Sequence, residues 1–357
     1  MARVSEAVAA GILVGMLGLV ACTAIANPPL EGTANAEPVT LASGLEAPWS
    51  VARLDDGSAL ISQRDDGRIV ALAPDGAQHD AGTVPGVVSG GEAGLHGLAV
   101  QEIDGIRWLY AYHGAESDNR VVRMPLTGDP LVLDADNTEV IVDSIPKAGN
   151  HNGGRIAFGP DGMLYIATGD AGLRDQARDH DSLAGKILRV TPTGEPAQGK
   201  PFGNAVYSVG HRNVQGLAWD STDRLWASEF GQNTWDELNL IEAGGDYGWP
   251  DYEGKAQADD AIDPVTIWSP DEASPSGIAI IDDVVYVASL RGERLWLVDT
   301  TDTSGDSWAV YTEEFGRLRD VIPGPDGSFW VLTNNTGGRG FAGSDDDRLL
   351  QLTLPEG

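Results

Sequence analysis

The sequence predicts an all-β fold, a six-bladed β-propeller, and three observations carry that prediction. One strand–turn–strand pattern recurs six times, and its strands alternate apolar with small or polar residues. The 357 residues are also punctuated by 46 Gly and 20 Pro. Repeats of about 40–60 residues with three or four strands each mark radial repetition, which leaves few exposed strand edges.

The first unit, "APWSVARLDDGSALISQRDDGRIVAL", is an apolar strand, an Asp-Gly turn, a second strand, and a polar stretch leading into Arg68-Ile69-Val70. The second, "GGEAGLHGLAV…RWLYAYHG…NRVVRM", has a looser turn. In "GGRIAFGPDGMLYIATGD…GKILRV" the turn is Asp161-Gly162, a dipeptide suited to the positive φ angles of tight hairpins. "NVQGLAWDSTDRLWASEFG…DELNLI", "SGIAIIDDVVYVASLRGERLWLV" and "RLRDVIPGPDGSFWVLTNN…DRLLQL" complete the set. Each unit reads as two strands, a variable loop and a third strand rich in Ile, Val, Leu, Tyr and Trp. Unequal spacing is assigned to loops at one position of the repeat, which therefore emerge on one face. One domain, residues 39–355, accounts for all six units without a second.

A formal charge of -31, from 23 Lys plus Arg against 54 Asp plus Glu, excludes nucleic acid as a partner, because phosphates would be repelled. Acidity of this degree fits calcium affinity, a salty habitat or a well-solvated surface. The single cysteine, Cys22, rules out a disulfide framework and a thiolate metal cluster. Its setting points to export. Arg3 precedes an apolar run, Ala7 to Ala21, shorter than the ~20 residues of a membrane span. The run ends in Leu19-Val20-Ala21-Cys22, which resembles a bacterial lipoprotein box. The expectation is a signal peptide over 1–21, a lipid anchor on Cys22 and a flexible tether over 22–38. An ordinary signal peptide cut near Ala24 or Ala26 is the alternative.

The propeller fold hosts enzymes, binders and scaffolds alike, so function must come from residues at the channel mouth. The starts of the inner strands offer Glu92 and His96, then His151 and Arg155, then His211, Arg212, Asn213 and Gln215, and finally Arg291, Arg317 and Arg319. Such a cationic ring in an acidic chain suits a planar polyanion, since guanidinium groups hold carboxylates bidentately. In "SEFGQNTWDELNLIEAGGDYGWP", Asp236 and Glu237 lie beside a Gly-rich turn, an oxygen-rich setting of the kind calcium prefers. Gly153-Gly154, just after His151, are expected to leave room above the imidazole for ligands.

Together these stretches resemble the soluble pyrroloquinoline-quinone (PQQ)-dependent glucose and aldose sugar dehydrogenases. The resemblance covers roughly residues 39 to 354 and rests on "GNHNGGRIAFGPDGMLYIATGD", "LAGKILRV", "VGHRNVQGLAWD", "SEFGQNTWDELNLIEAGGDYGWP", "SLRGERLW" and "GRLRDVIPGPDGSFWVLT", in that order. It implies PQQ lying across the channel mouth of a six-bladed propeller, an aldose substrate oxidised at C1 and an external electron acceptor. By motif, it implies that His151 is the general base and that Arg212 stabilises charge on the quinone. Asn213 then touches the cofactor, and Arg291, Arg317 and Arg319 hold its carboxylates. Gly231 and Gln232 offer backbone carbonyls to the calcium bound to the cofactor, and Asp236, Glu237 and Tyr247 match ligands of separate structural calcium.

Three positions depart from the family pattern. Glu92 stands where glutamine is common, His96 where an aliphatic residue is expected, and Arg291 where lysine is frequent. A carboxylate at 92 would accept hydrogen bonds from sugar hydroxyls or act on a neighbouring histidine. Loops shorter than those of the dimeric glucose-specific enzymes imply an open site and a monomer. Two rival readings remain, a calcium-dependent propeller lactonase, which needs acids converging on one metal, and a non-catalytic ligand-binding propeller, which would dispense with His151 or the arginines.

Overall fold

The computed structural model describes Met1, residues 37–302 and residues 304–355. The signal peptide, Cys22 and nearly all of the tether lie outside the described residues. The rest forms six antiparallel sheets in chain order around an axis, with no α-helix among the described residues.

Each blade has its innermost strand first, at Pro48–Arg53, Leu95–Ile103, Ile156–Phe158, Val214–Trp219, Pro275–Ile281 and Leu318–Pro323. The first three strands of every blade are those the repeat predicts. A fourth, outer strand completes each sheet, and the repeat pattern did not show it. Some of these outer strands, such as Gln78–Thr83 and Trp308–Val310, are largely exposed, and others, Val206–Ser208 and Thr266–Trp268, are only three residues long, too short for an alternation to be read.

The sixth blade takes its outer strand from the other end of the chain. Val39–Ala42 pairs antiparallel with Leu349–Leu352, with Val39 opposite Gln351 and Thr40 opposite Leu350. The ring is thereby closed by main-chain hydrogen bonds.

Core packing follows the same sixfold logic. The buried apolar residues fall into six clusters, each between two neighbouring blades. Leu60 and Ile69 of the first blade meet Leu98 and Leu109 of the second, for example, and Trp330 and Leu332 of the sixth meet Val51 and Ile61 of the first. Strand faces with a period of two thus bury one row of side chains against each neighbour.

Polar residues fill the axis instead. Arg155 Nη1 donates to Asp320 Oδ2 at 2.9 Å and to Ser50 Oγ at 3.1 Å, and its Nε donates to the Gln215 carbonyl at 2.9 Å. Asp320 Oδ2 also accepts the Val51 amide at 3.0 Å. One ion pair, buried on both sides, therefore ties blades one, three, four and six together beneath the mouth.

Candidate active site

Above this ion pair the inner strands open into a cavity of about 410 Å³. Its lining includes Trp49, Glu92, His96, His151, Arg212, Asn213, Gly231, Gln232, Asp236, Arg291, Arg317 and Arg319. Residues separated by more than 220 positions are brought to one place. Glu237 and Tyr247 are not among them.

His151 stands in the left-handed region, at φ 53°, on the connection into the third blade. A non-glycine residue held there is strained and persists only when its surroundings over-determine it. Here they do. The His151 amide donates to Glu92 Oε2 at 3.1 Å, and its carbonyl accepts the Ala171 amide at 3.1 Å. Its Nδ1 donates to Asp170 Oδ1 at 2.8 Å, because a carboxylate oxygen can only accept. Nε2 is therefore the lone-pair nitrogen, and Arg212 Nη2 donates to it at 2.8 Å.

Asp170 was not singled out by sequence. It closes the "ATGD" hairpin end and is fully buried, with Trp249 Nε1 donating to its other oxygen at 2.9 Å. Burial alone would raise its carboxyl, but the His151 N–H, the Gly172 amide and the Trp249 indole hold it below the ordinary aspartate value. It stays ionised and keeps the imidazole in one tautomer and one orientation.

The glycine pair after His151 serves a different purpose from the one expected. A Cβ on Gly153 would lie 2.5 Å from the Thr168 backbone, and one on Gly154 would lie 2.5 Å from the His96 ring. The pair lets the chain pass against the next strand and against His96. It does not clear space for a ligand. The Asn213 side-chain oxygen accepts the Gly153 amide at 2.9 Å and fixes this crossing.

His96 is packed, as the sequence allowed. It stacks between Trp49 and Tyr112, with centroids 5.0 and 5.8 Å away, and its Nε2 donates to the Glu92 carbonyl at 2.8 Å. Burial brings its pKa down to about 3, so it is neutral. Glu92 acts on the His151 backbone, not the ring, and its second oxygen accepts Arg339 Nη2 at 2.9 Å. Arg339, which the sequence reading passed over, reaches across from the sixth blade.

Arg212, Arg317 and Arg319 are the chemically telling residues. Among the described residues none has a carboxylate within ion-pair distance, although the chain carries a formal charge of -31. Arg319 is held by neutral groups, Gln215 Oε1 at 2.9 Å and Asn334 Oδ1 at 3.2 Å, with its guanidinium 5.6 Å from the Trp49 ring. Burial, then Arg317, brings its pKa down to about 9. The Nε atoms of all three arginines are buried without a partner. What fits an anion is the three guanidinium groups lining one cavity with none of them paired to a carboxylate. Arg291 is more exposed and pairs with Asp271 at 2.5 Å on the rim.

The loop over Gly231 and Gln232 is organised by a residue far along the chain. Glu253 Oε1 accepts the amides of Gln232, Asn233 and Thr234 at 2.6, 2.9 and 3.0 Å. The Phe230 and Gly231 carbonyls accept Arg212 Nη1, at 3.1 Å for Phe230. A cation already meets these oxygens, which is the chemistry a bound calcium would need.

The side chains of Asp236, Glu237 and Tyr247 do not converge on one point. Asp236 and Glu237 are successive residues of the strand Asp236–Ile241, so their side chains leave on opposite faces. Asp236 accepts the Gly231 amide at 2.9 Å and the Ser274 amide at 2.7 Å, and burial raises its pKa to about 6. Glu237 accepts the Gly254 amide at 2.7 Å, opposite Glu229 on the neighbouring strand, and burial with that like charge raises its carboxyl. The Tyr247 hydroxyl donates to the Leu240 carbonyl at 2.7 Å and accepts the Glu242 amide at 2.8 Å, while its ring stacks on His211. All three are spent on holding the backbone.

The arrangement thus offers a fixed base, a cluster of uncompensated cations and a pair of carbonyls around one cavity. The family pattern of the glucose / sorbosone dehydrogenases matches residues 45–342. The PQQ-bound aldose sugar dehydrogenase of Streptomyces coelicolor is 48% identical and superposes with a TM-score of 0.86, over 92% of this chain and 99% of its own. An aldose sugar dehydrogenase of Escherichia coli is 28% identical over 89% of this chain and 94% of its own length. The quinoprotein glucose dehydrogenase B of Acinetobacter calcoaceticus is 28% identical over 68% of this chain and 59% of its own.

Proposed function

Since the chain belongs to the glucose/sorbosone dehydrogenase family, we propose that PQQ and one calcium ion occupy the cavity at the mouth of the ring. The protein is a PQQ-dependent oxidoreductase that converts the C1 hydroxyl of aldose sugars to the lactone. The observation that supports this placement best is the trio Arg212, Arg317 and Arg319, one buried and two partly buried cations without carboxylate partners around a single cavity.

PQQ supplies the hydride acceptor, and calcium polarises its quinone oxygen. The chain's own residues do the rest. His151 Nε2 would take the proton of the C1 hydroxyl, with Nδ1 pinned by Asp170 so that the lone pair stays on Nε2, where Arg212 Nη2 now donates and must give way to the sugar. Arg212, beside that nitrogen, would place its positive charge where negative charge develops on the reduced quinone. Arg317, Arg319 and, at the rim, Arg291 hold carboxylates. Asn213 holds the crossing on which His151 sits. The Gly231 and Gln232 carbonyls would hold calcium, on a loop fixed by Glu253, and Glu92 would accept hydrogen bonds from sugar hydroxyls.

A lactonase would need acids converging on a metal, whereas arginines dominate this cavity. Electrons leave to an external acceptor, and the chain works as a monomer. Its Cys22 carries a lipid that anchors it to the outer face of a membrane, a reading that diacylglycerol on Cys22 in the mass spectrum of membrane-extracted protein supports and an unmodified N-terminus at Asn27 refutes.

Adding PQQ with calcium to the purified chain is expected to start dye reduction by aldoses, and PQQ with a calcium chelator to give little. Equal rates with and without chelator contradict the calcium site, and no reduction of dye by any aldose contradicts the whole reading.

A further inference from the structure

We propose that the face opposite the mouth carries a second, non-catalytic site for a neutral saccharide, in the groove between the third and fourth blades. The groove lies by the turns that follow Phe158 and Trp219, at the far ends of inner strands whose near ends open on the mouth. Its volume, about 420 Å³, falls within the ~300–1,000 Å³ of small-ligand sites.

At several junctions an aromatic residue of one blade's second strand packs near the turn end of the next blade, and something covers it. Between blades two and three Tyr110 meets Phe158 at 5.0 Å, and its hydroxyl donates to the Pro192 carbonyl at 2.8 Å, with Arg123 beside it. Between blades five and six Tyr286 meets Phe329, and Tyr311 closes over that ring. Between blades six and one the Arg53 guanidinium covers Trp330 at 5.3 Å.

Between blades three and four the corresponding Tyr165 stands edge-on to Tyr207 at 5.3 Å and to Trp219 at 5.1 Å. Arg189, paired with Asp161, lies over Tyr165 as Arg123 lies over Tyr110, so what stands uncovered is the aromatic pair beside it. Tyr207 and Trp219 stay partly exposed and line the open groove with Asp223, Arg224 and Glu242. Asp223 and Glu242 are exposed and make no ion pair among the described residues.

Aromatic walls beside unpaired carboxylates select a ligand with an apolar face and several hydroxyl donors. A pyranose has both, its axial C–H bonds on the ring and its hydroxyls on the rim. Arg224, held by Asp220 at 2.7 Å and the Thr300 carbonyl at 3.0 Å, offers a donor to the same ligand. The groove goes beyond the chemistry at the mouth and does not depend on it.

Titration calorimetry of the full chain without PQQ tests the site, with methyl β-D-cellobioside as probe because its C1 has no free hydroxyl to oxidise. Saturable one-to-one binding is expected, weakened at least tenfold by Trp219→Ala and largely kept by Trp219→Phe. The double variant Asp223→Asn with Glu242→Gln is expected to weaken it as well without disturbing the aromatic packing. All variants, loaded with PQQ and calcium, are expected to oxidise glucose at the parent rate. No binding by the parent chain, or equal binding by parent and Trp219→Ala, overturns the proposal. Tighter binding of tetramethylammonium than of the glycoside, lost in Trp219→Ala, overturns it in favour of a cation site.

Discussion

His151→Ala lowers the turnover of the PQQ- and calcium-loaded protein by roughly 10²–10⁴-fold, the usual contribution of a positioned general base. The Michaelis constant changes far less, because the imidazole acts on a proton in flight and not on the resting sugar. PQQ affinity also stays close to the parent value, since the cofactor's carboxylates are assigned to Arg317 and Arg319. Dye-coupled kinetics with a parallel PQQ titration separates these quantities. Asp170→Asn is expected to lower turnover as well, because its amide can donate to Nδ1 and leave the proton on Nε2, the nitrogen that must act as base. A His151→Ala protein that turns over at the parent rate with cofactor bound places the base elsewhere, with Glu92 the next residue to replace.

Asp320→Ala is expected to be the most damaging substitution for stability, by about 3–5 kcal/mol. The loss comes less from the missing attraction than from Arg155, which stays buried with no counter-charge. The Val51 amide loses its acceptor as well. Replacing both partners, Arg155→Met with Asp320→Leu, is expected to restore part of the loss, since two buried charges disappear together. Urea denaturation of the three proteins checks this, and an Asp320→Ala midpoint equal to the parent's contradicts it. The Gly277 backbone runs so close that a Cβ there would sit 1.8 Å from Asp320 Oδ1. The leucine must therefore fit a tight space, and recovery will be partial.

Much of the ring was legible because its strands repeat a period of two between turn dipeptides, and six copies of one pattern admit few architectures. The outer strands were not, because they either face solvent, as Gln78–Thr83 does, or are too short to carry a period, as Val206–Ser208 and Thr266–Trp268 are. At the mouth, the residues that begin inner strands could be found by their place in the repeat, hence Arg212, Arg317 and Arg319. Those that act on them from a distance could not. Asp170 sits at the end of a hairpin, while Trp249 and Glu253 come from the long connection after Ile241, whose path no periodicity records. The acidic stretch was legible only as a pair of carboxylates. Asp236 and Glu237 read as paired ligands in one dimension, yet adjacent strand residues point apart. Gly153-Gly154 was recognised as a place needing space, but what needs it is neighbouring backbone and His96.

Closure of the last blade by Val39–Ala42 also sets a timetable for synthesis. The first propeller strand to leave the ribosome is the last to be used, since its partner Leu349–Leu352 is made about three hundred residues later. Until then five blades can assemble in sequence while the sixth waits with an open edge. The strand left waiting is only four residues long, with Val39 and Thr40 exposed even in the finished ring. So short a strand offers little template for pairing with other chains during the delay. Joining the ends then costs the entropy of a very long loop, which grows only slowly with length. The final step of biogenesis is thus the meeting of the chain's two ends, and every blade must already be in place for the circle to shut.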